Sequence, residues 1–295
     1  MSALRFFVLA GPTAAGKSEF AVEIAERLRT EIVGADAFQI YEGFLILSGK
    51  PSTVLQARIK HHLIGVFPVM ENCDAARYTE LASKTIQELN QRGVVPLLVG
   101  GSGFYIEALL NPLPELPGGD SDLRDQLANE SLSSLLSELK EGDPAAFEKI
   151  DQHNRRRIER AIEVIRLTGK PFSAFRRSNP SGGQIPGLVL TRPRTELHRR
   201  INERVQWMLD NGAVQEVASA GELSPTAAQM IGVPEIRKFL RQEISLDECA
   251  QAMQAATRQY AKRQMTWFKK QPFAPFDAAA PVEEAVEFFK RQQEG

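Results

Sequence analysis

Residues 11–18 read GPTAAGKS, which matches G-x-x-x-x-G-K-[ST] in full through Gly11, Gly16, Lys17 and Ser18. The run before it, Phe6–Ala10, is unbroken and apolar, as a fully buried strand would be. After it, Phe20, Ile24 and Leu28 recur at every fourth position, which predicts one face of a helix reaching about Arg29. Strand, glycine loop and helix in this order make a phosphate cradle. Backbone N–H groups point at anionic oxygens, the helix N-terminus adds partial positive charge, Lys17 neutralises outer phosphate charge, and the Ser18 hydroxyl is a candidate Mg²⁺ ligand.

Outward from the loop, apolar runs alternate with helical segments. Ile32–Ala35 ends at Asp36, and Val94–Val99 ends in Gly100–Gly101. Ala75–Asn90 is the clearest helix between them. The alternation predicts an α/β fold, a P-loop NTPase-like parallel sheet flanked by helices. The texture breaks at NPLPELPGGD (111–120) and again at SNPSGGQIPG (178–187). Between the breaks the chain reads as wholly helical, and LVLT (188–191) restores a buried strand. We therefore expect a catalytic core from residues 1–117 and 181–295, interrupted by a helical insertion at 118–180.

The 295 residues, 43% hydrophobic and 25% charged, suit a soluble globular chain. Only two cysteines occur, Cys73 and Cys249, so neither a disulfide framework nor a CxxC metal site is indicated and a cytoplasmic setting is expected. MSALRFFVLA runs straight into the loop and reads as a strand, and no stretch approaches the roughly 18 apolar residues of a membrane span. Net charge is −1, but it is segregated: Arg155–Arg204 holds 13 Lys and Arg against 4 Asp and Glu, and Arg258–Lys270 holds five basic residues and no acid. Such blocks suit a polyanionic partner. Nothing marks a subunit interface, and a monomer is expected.

The loop specifies a polyphosphate without specifying its hydrolysis. No Asp is followed three residues later by Gly, NKxD is absent, and Val94–Val99 ends in GGSG where ATPases and kinases carry an Asp for Mg²⁺. Asp36 ends the second strand, where the C-terminal ends of parallel strands line a ligand crevice. There it is a metal ligand, a general base or a helix cap. GGSGFY (100–105) is a second strand-to-helix turn and offers the Ser102 hydroxyl to the same crevice. His61–His62 makes a poor metal pair, because neighbouring side chains on a strand or helix point apart.

Taken together, GPTAAGKS, GADAFQIY (34–41), HHLIGV (61–66), VGGSGFY (99–105), RRRIERAIEVIRLTGKP (155–171) and TRQYAKRQMTWFKK (257–270) resemble the bacterial tRNA dimethylallyltransferases, the tRNA isopentenyltransferase or IPP transferase family. The matches run in order along nearly the whole chain. The resemblance implies transfer of a dimethylallyl group from dimethylallyl diphosphate to the exocyclic amine of the adenosine 3′-adjacent to the anticodon. It implies that Gly11, Pro12, Thr13, Ala14, Ala15, Gly16, Lys17 and Ser18 hold the diphosphate with Mg²⁺ as cofactor. Asp36 matches the family's base, and Ser102 aligns with a hydroxyl residue near both substrates, giving Asp36, Ser102 and Lys17 as catalytic candidates. Asp36, Ala37, Phe38, Gln39, Ser102, Arg124, Arg156, Arg157, Ile158, Glu159 and Arg160 align with tRNA-contacting positions. Trp267 and Phe268 read as core.

Ala37 replaces the usual serine, Gln229 stands where some members have arginine, and IGVPE (231–235) is closer to plant enzymes that prenylate free adenine nucleotides. Two alternatives thus stand beside tRNA prenylation: an adenylate-type isopentenyltransferase, and a P-loop kinase or nucleotide-dependent RNA-binding switch.

Overall fold

The first helix starts where the glycine loop leaves it: Gly16 caps α1 with φ +95°, a left-handed conformation that favours glycine. The structure, a computed structural model, describes residues 4–111, 114, 116–175 and 185–294. Residues 178–184 of the second turn-rich break lie outside the described residues. So do Arg176 and Arg177 of the basic block and positions 112, 113 and 115 of the first break.

The chain divides into two units, Met1–Leu110 with Ser181–Gly295, and Asn111–Pro180. The first begins β1 (Phe7–Ala10), α1 (Lys17–Leu28), β2 (Ile32–Gly34), α2 (Thr53–Arg58), β3 (His61–His62), α3 (Ala75–Gln91), β4 (Leu97–Gly100) and α4 (Gly103–Leu110). The second unit holds α5 (Ser121–Asn129), α6 (Leu132–Gly142), α7 (Pro144–Phe147) and α8 (Arg155–Thr168). The first unit resumes with β5 (Gly187–Thr191), α9 (Arg194–Asp210), α10 (Ala213–Ala218), α11 (Val233–Leu240), α12 (Leu246–Phe268), β6 (Ala274–Asp277) and α13 (Val282–Glu294).

The sheet has six strands in the order β3-β2-β4-β1-β5-β6, and every pairing is parallel. This is the α/β class read from the sequence. Its central strands are dry: Val8, Leu9, Leu97, Leu98 and Leu190 have no exposed surface. Burying each such side chain is worth about 1.5–3 kcal/mol. α1 and α13 pack on the sheet through Ile24, Ala25, Ala285 and Phe289. A second core joins α9, α11 and α12 to Phe44 and Leu47 through Val205, Met208, Met230, Val233 and Met253.

Two of the strands are shorter than their apolar runs. β2 stops at Gly34, and β4 begins at Leu97, just after Pro96, which has no N–H for the ladder. Both outer strands, β3 and β6, carry no apolar run; β6 is APFD, half exposed and interrupted by Pro275. No helix among the described residues is long and apolar enough to cross a membrane.

In the second unit, Leu127, Leu135, Leu139, Ile158, Ala161 and Ile162 form one fully buried cluster. The Arg155 guanidinium donates to the carbonyls of Leu127, Ala128 and Glu130, satisfying the open C-terminus of α5.

Candidate active site

The strand order decides the site. Because β4 lies between β1 and β2, the turn after β4 sits between the glycine loop after β1 and Asp36 after β2. Contact there is tight enough to demand glycine: a Cβ on Gly100 would lie 1.9 Å from the Ala35 carbonyl oxygen. Two hydrogen bonds fasten the segments. Ser102 N donates to Ala35 O at 3.2 Å, and Ala37 N donates to Ser102 Oγ at 2.8 Å. Asp36 Oδ1 accepts from Phe38 N at 3.0 Å and Gln39 N at 3.3 Å, so one carboxylate oxygen shapes the turn.

These residues open on a cleft of about 710 Å³ in the first unit, lined by Thr13, Ala14, Gly16, Lys17, Ser18, Asp36, Phe38 and Gln39, with walls from α9 and α12. Gln39 Nε2 donates to Gly49 O at 2.9 Å, which pins the loop before α2 across the cleft. Lys17 Nζ donates to Pro12 O at 2.8 Å. Burial pushes the Lys17 ammonium down to about 8, against the opposing pull of Asp36, and Arg204 adds to the lowering.

Arg192, Arg200 and Arg204 belong to the basic block that suggested a polyanion-binding surface. In the structure they turn onto the glycine loop instead: Arg192 Nε donates to Ala15 O and Arg200 Nε to Ala14 O, each at 2.8 Å, and Arg204 Nη1 reaches Thr13 Oγ1 at 3.5 Å. Arg200 and Arg204 are one turn apart on α9, so both reach the same loop. Burial lowers the Arg204 pKa. On α12, Gln264 bonds Thr13 N and Gly101 O, and Tyr260 reaches Ser102 and Gln264. Burial pushes the Tyr260 phenol up, and the Asp36 carboxylate adds to the rise. Sequence reasoning missed Arg200, Arg204, Tyr260 and Gln264 as site residues. The spacing of the two arginines was the available signal.

The residues aligned with tRNA contacts in the second unit divide sharply. Ile158 is fully buried, and its side chain packs in the helical core. Glu159 pairs with Arg155 at 2.6 Å. Arg124 and Arg160 both hold the buried Glu163 carboxylate, Arg124 Nε at 2.8 Å. Arg156 and Arg157 are exposed and have no ion-pair partner among the described residues. His62 bonds Glu31 at 2.6 Å and His61 bonds the Ile59 carbonyl at 2.8 Å. Phe268 is buried, and Trp267 is half-buried against Gly103. Gln229 is exposed and donates to Pro225 O at 2.9 Å.

A cavity of about 30 Å³ adjoins the cleft behind Lys17, Ser18 and Asp36. No cluster of three or more His, Cys, Asp or Glu among the described residues could cage a metal. A hydroxyl and one carboxylate are the donors Mg²⁺ uses when substrate phosphates and water supply the rest.

A profile described as IPP transferase matches residues 39–271. The chain is similar to a tRNA dimethylallyltransferase of Akkermansia muciniphila, 40% identical over 284 residues that cover 94% of this chain and 97% of the relative. One from Geobacter sulfurreducens is 39% identical and covered to 98%, as is this chain. Among solved structures, a full-length tRNA isopentenylpyrophosphate transferase from Bacillus halodurans matches with TM-score 0.71 and 30% identity, covering 99% of this chain and 97% of that one. A eukaryotic dimethylallyltransferase acting on tRNA matches with TM-score 0.81 and 25% identity, covering 98% and 77%. The glycine loop, the Asp36 and Ser102 turns fastened beside it, and this near-complete coverage agree: the chain belongs to the IPP transferase family, that of the tRNA dimethylallyltransferases.

Proposed function

We propose that the protein transfers a dimethylallyl group from dimethylallyl diphosphate to the exocyclic amine of the adenosine 3′-adjacent to the anticodon in tRNA. The observation that carries this reading is the meeting, in one cleft, of a cationic phosphate loop and the Asp36 carboxylate. Loop amides, Lys17, Arg200 and Arg204 offer positive charge to a diphosphate. Asp36, Ser102 and Tyr260 stand beside it.

In this reaction the bond between the allylic carbon and the diphosphate oxygen breaks as a carbon–nitrogen bond forms. Positive charge develops on the allylic carbon and negative charge on the departing diphosphate. Preorganised cations and N–H groups are worth about 10²–10³ in rate each when aimed at developing charge. The adenine amine is a weak nucleophile because its lone pair is delocalised into the ring. Its proton passes to Asp36, whose second oxygen is not needed for the turn; such base catalysis contributes about 10²–10⁴. Ser102 and Tyr260 orient the acceptor beside that carboxylate. Ser18, with substrate oxygens and water, would hold Mg²⁺, which would neutralise charge on the leaving group.

The acceptor base must leave its stack, at a cost of a few kcal/mol. Binding elsewhere on the RNA offsets this. Arg156 and Arg157 on the second unit support such a role, as do the exposed Lys262 and Arg263 of α12 and Lys269 and Lys270 just after it. We assign the helical unit to the anticodon arm on that basis.

The test is reaction of purified protein with Mg²⁺, dimethylallyl diphosphate and unmodified tRNA, followed by mass spectrometry of the nucleosides. Prenylated adenosine is expected. Product from AMP or ATP in place of tRNA would instead make this an adenylate-type enzyme. Nucleotide hydrolysis without prenyl transfer would return it to the kinase or switch class.

A further inference from the structure

The cleft changes character along its length. On α12, Gln264, Tyr260, Thr257 and Met253 follow one another at helical spacing and all line it. Gln264 is bonded to Thr13 of the phosphate loop, whereas Met253 is 1% exposed and packs in the core with Leu47, Val205 and Met230. The other wall repeats the pattern, with Arg200 and Arg204 at the loop and Val205 and Met208 farther along α9. A cleft that is cationic at one end and dry at the other fits an amphiphile with an anionic head and a hydrocarbon tail.

The lengths are informative. At a rise of about 1.5 Å per residue, Met253 lies roughly 16 Å along α12 from Gln264. A diphosphate and a five-carbon chain laid end to end span roughly 10–12 Å at ordinary bond lengths. The difference is about the reach of the Met253 side chain, which lines the cleft and whose Sδ lies 3.9 Å from the Cys249 Sγ behind it. Met230, also 1% exposed, lines the same end of the cleft. Behind them the packing is closed: a Cβ on Gly232 would lie 2.4 Å from Leu47 and 3.0 Å from Met253.

We propose that Met253 and Met230 form the floor that sets the length of the allylic chain this protein transfers. The inference rests on the reading that the glycine loop holds an allylic diphosphate. Both floor residues are unbranched thioethers, which conform to the end of a short chain and leave room once truncated. The chemistry is unchanged by chain length, since the same allylic carbon–oxygen bond breaks and the same amine proton is released.

The experiment compares kcat/KM for a ten-carbon allylic diphosphate with that for the five-carbon donor, using tRNA as acceptor. One methylene in an apolar pocket discriminates by about 10–200-fold. Met253→Ala and Met230→Ala are expected to raise the ten-to-five-carbon ratio at least about tenfold. Met253→Leu, which conserves volume, should stay near the wild-type ratio. Val217→Ala is the control for general loosening, because Val217 is buried in the same core but does not line the cleft. An unchanged ratio in both alanine variants would overturn the floor, and so would an equal rise in Val217→Ala. Failure of the wild-type protein to transfer even the five-carbon chain would instead overturn the underlying reading and the floor with it.

Discussion

Gln264 clamps Thr13. Its Oε1 accepts the Thr13 N–H at 2.8 Å, while its Nε2 donates to Gly101 O at 2.8 Å, so one side-chain amide joins the loop after β1 to the turn after β4. The two partners fix which end of the amide points where, since a backbone N–H can only donate and a carbonyl only accept. The residue is 5% exposed, and water is a poor substitute for either partner.

Gln264→Glu retains the acceptor but places an anionic oxygen against the Gly101 carbonyl and a negative charge beside the phosphate loop. We expect it to lower pyrophosphate affinity more than Gln264→Leu does, although Leu loses both hydrogen bonds. Leaving a buried N–H and a buried C=O unsatisfied in Gln264→Leu costs about 1–3 kcal/mol for each group. Isothermal titration with inorganic pyrophosphate and thermal melting separate the two effects. Equal pyrophosphate affinity in both variants would show that the added charge does not reach the loop.

Lys17 gives a pH signature. Burial lowers its pKa to about 8, so between pH 8 and its ordinary 10.5 the folded protein has released a proton that the unfolded chain still holds. Stability contributed by this group therefore rises with pH across that window. Ligand binding runs the opposite way, because a diphosphate favours the ammonium. Pyrophosphate affinity is expected to fall by up to about tenfold per pH unit above 8. Lys17→Arg stays charged throughout, and the difference between the two proteins cancels the ligand's own titration. Parallel affinity curves for both from pH 7 to 9.5 would contradict the depressed value.

Arg204 should show a trade between stability and binding. Its guanidinium is buried beside Lys17, and burial outweighs the attraction of Asp36 and Glu19. Arg204→Met removes a poorly compensated buried charge while keeping a long apolar stem. The free protein should melt higher; a gain of about 1 kcal/mol corresponds to roughly 2–4 °C at this size. Pyrophosphate affinity should drop about 10- to 100-fold, since a charge-assisted hydrogen bond is worth about 1.5–3 kcal/mol. A lower melting temperature would indicate that Arg204 serves the fold first.

These residues also mark where the sequence stopped being readable. The glycine loop and α1 were legible because a local motif dictates a local geometry. The order β2-β4-β1 was not, although it alone brings Ser102 between Asp36 and the loop. β3 and β6 escaped notice because two histidines and APFD bury too little apolar surface to leave a pattern. Arg200 and Gln264 lie far along the chain from Ala14 and Thr13, their partners in the loop. A charge count cannot distinguish an arginine pointing into a cleft from one on a helix surface. Arg200 and Arg204 were of the first kind, and Arg156 and Arg157 of the second.

The second unit offers a test that needs no substrate. Glu163 is 1% exposed, yet three donors converge on it: Arg124, Arg160 and the Asp120 N–H at 3.0 Å. Burial alone would raise its pKa, but the hydrogen bonds from Arg160, Arg124 and Asp120 outweigh burial and lower it below the usual 4.5. A carboxyl with a depressed folded value stabilises the fold above its unfolded pKa, and that contribution is lost as pH falls through the folded one. Arg160 also donates to the Pro117 carbonyl at 2.7 Å, so the network fastens the entry to α5 onto α8. Glu163→Gln keeps the shape and removes the charge, at an expected cost of about 1–3 kcal/mol. Hydrogen exchange on the full chain is the measurement. Protection of α5 and α8 amides should fall in Glu163→Gln at neutral pH, while β1 and β4 keep theirs. In the wild type the same loss should come only below pH 4.5. Uniform loss across both units would show that Glu163 stabilises the whole chain and not the helical unit.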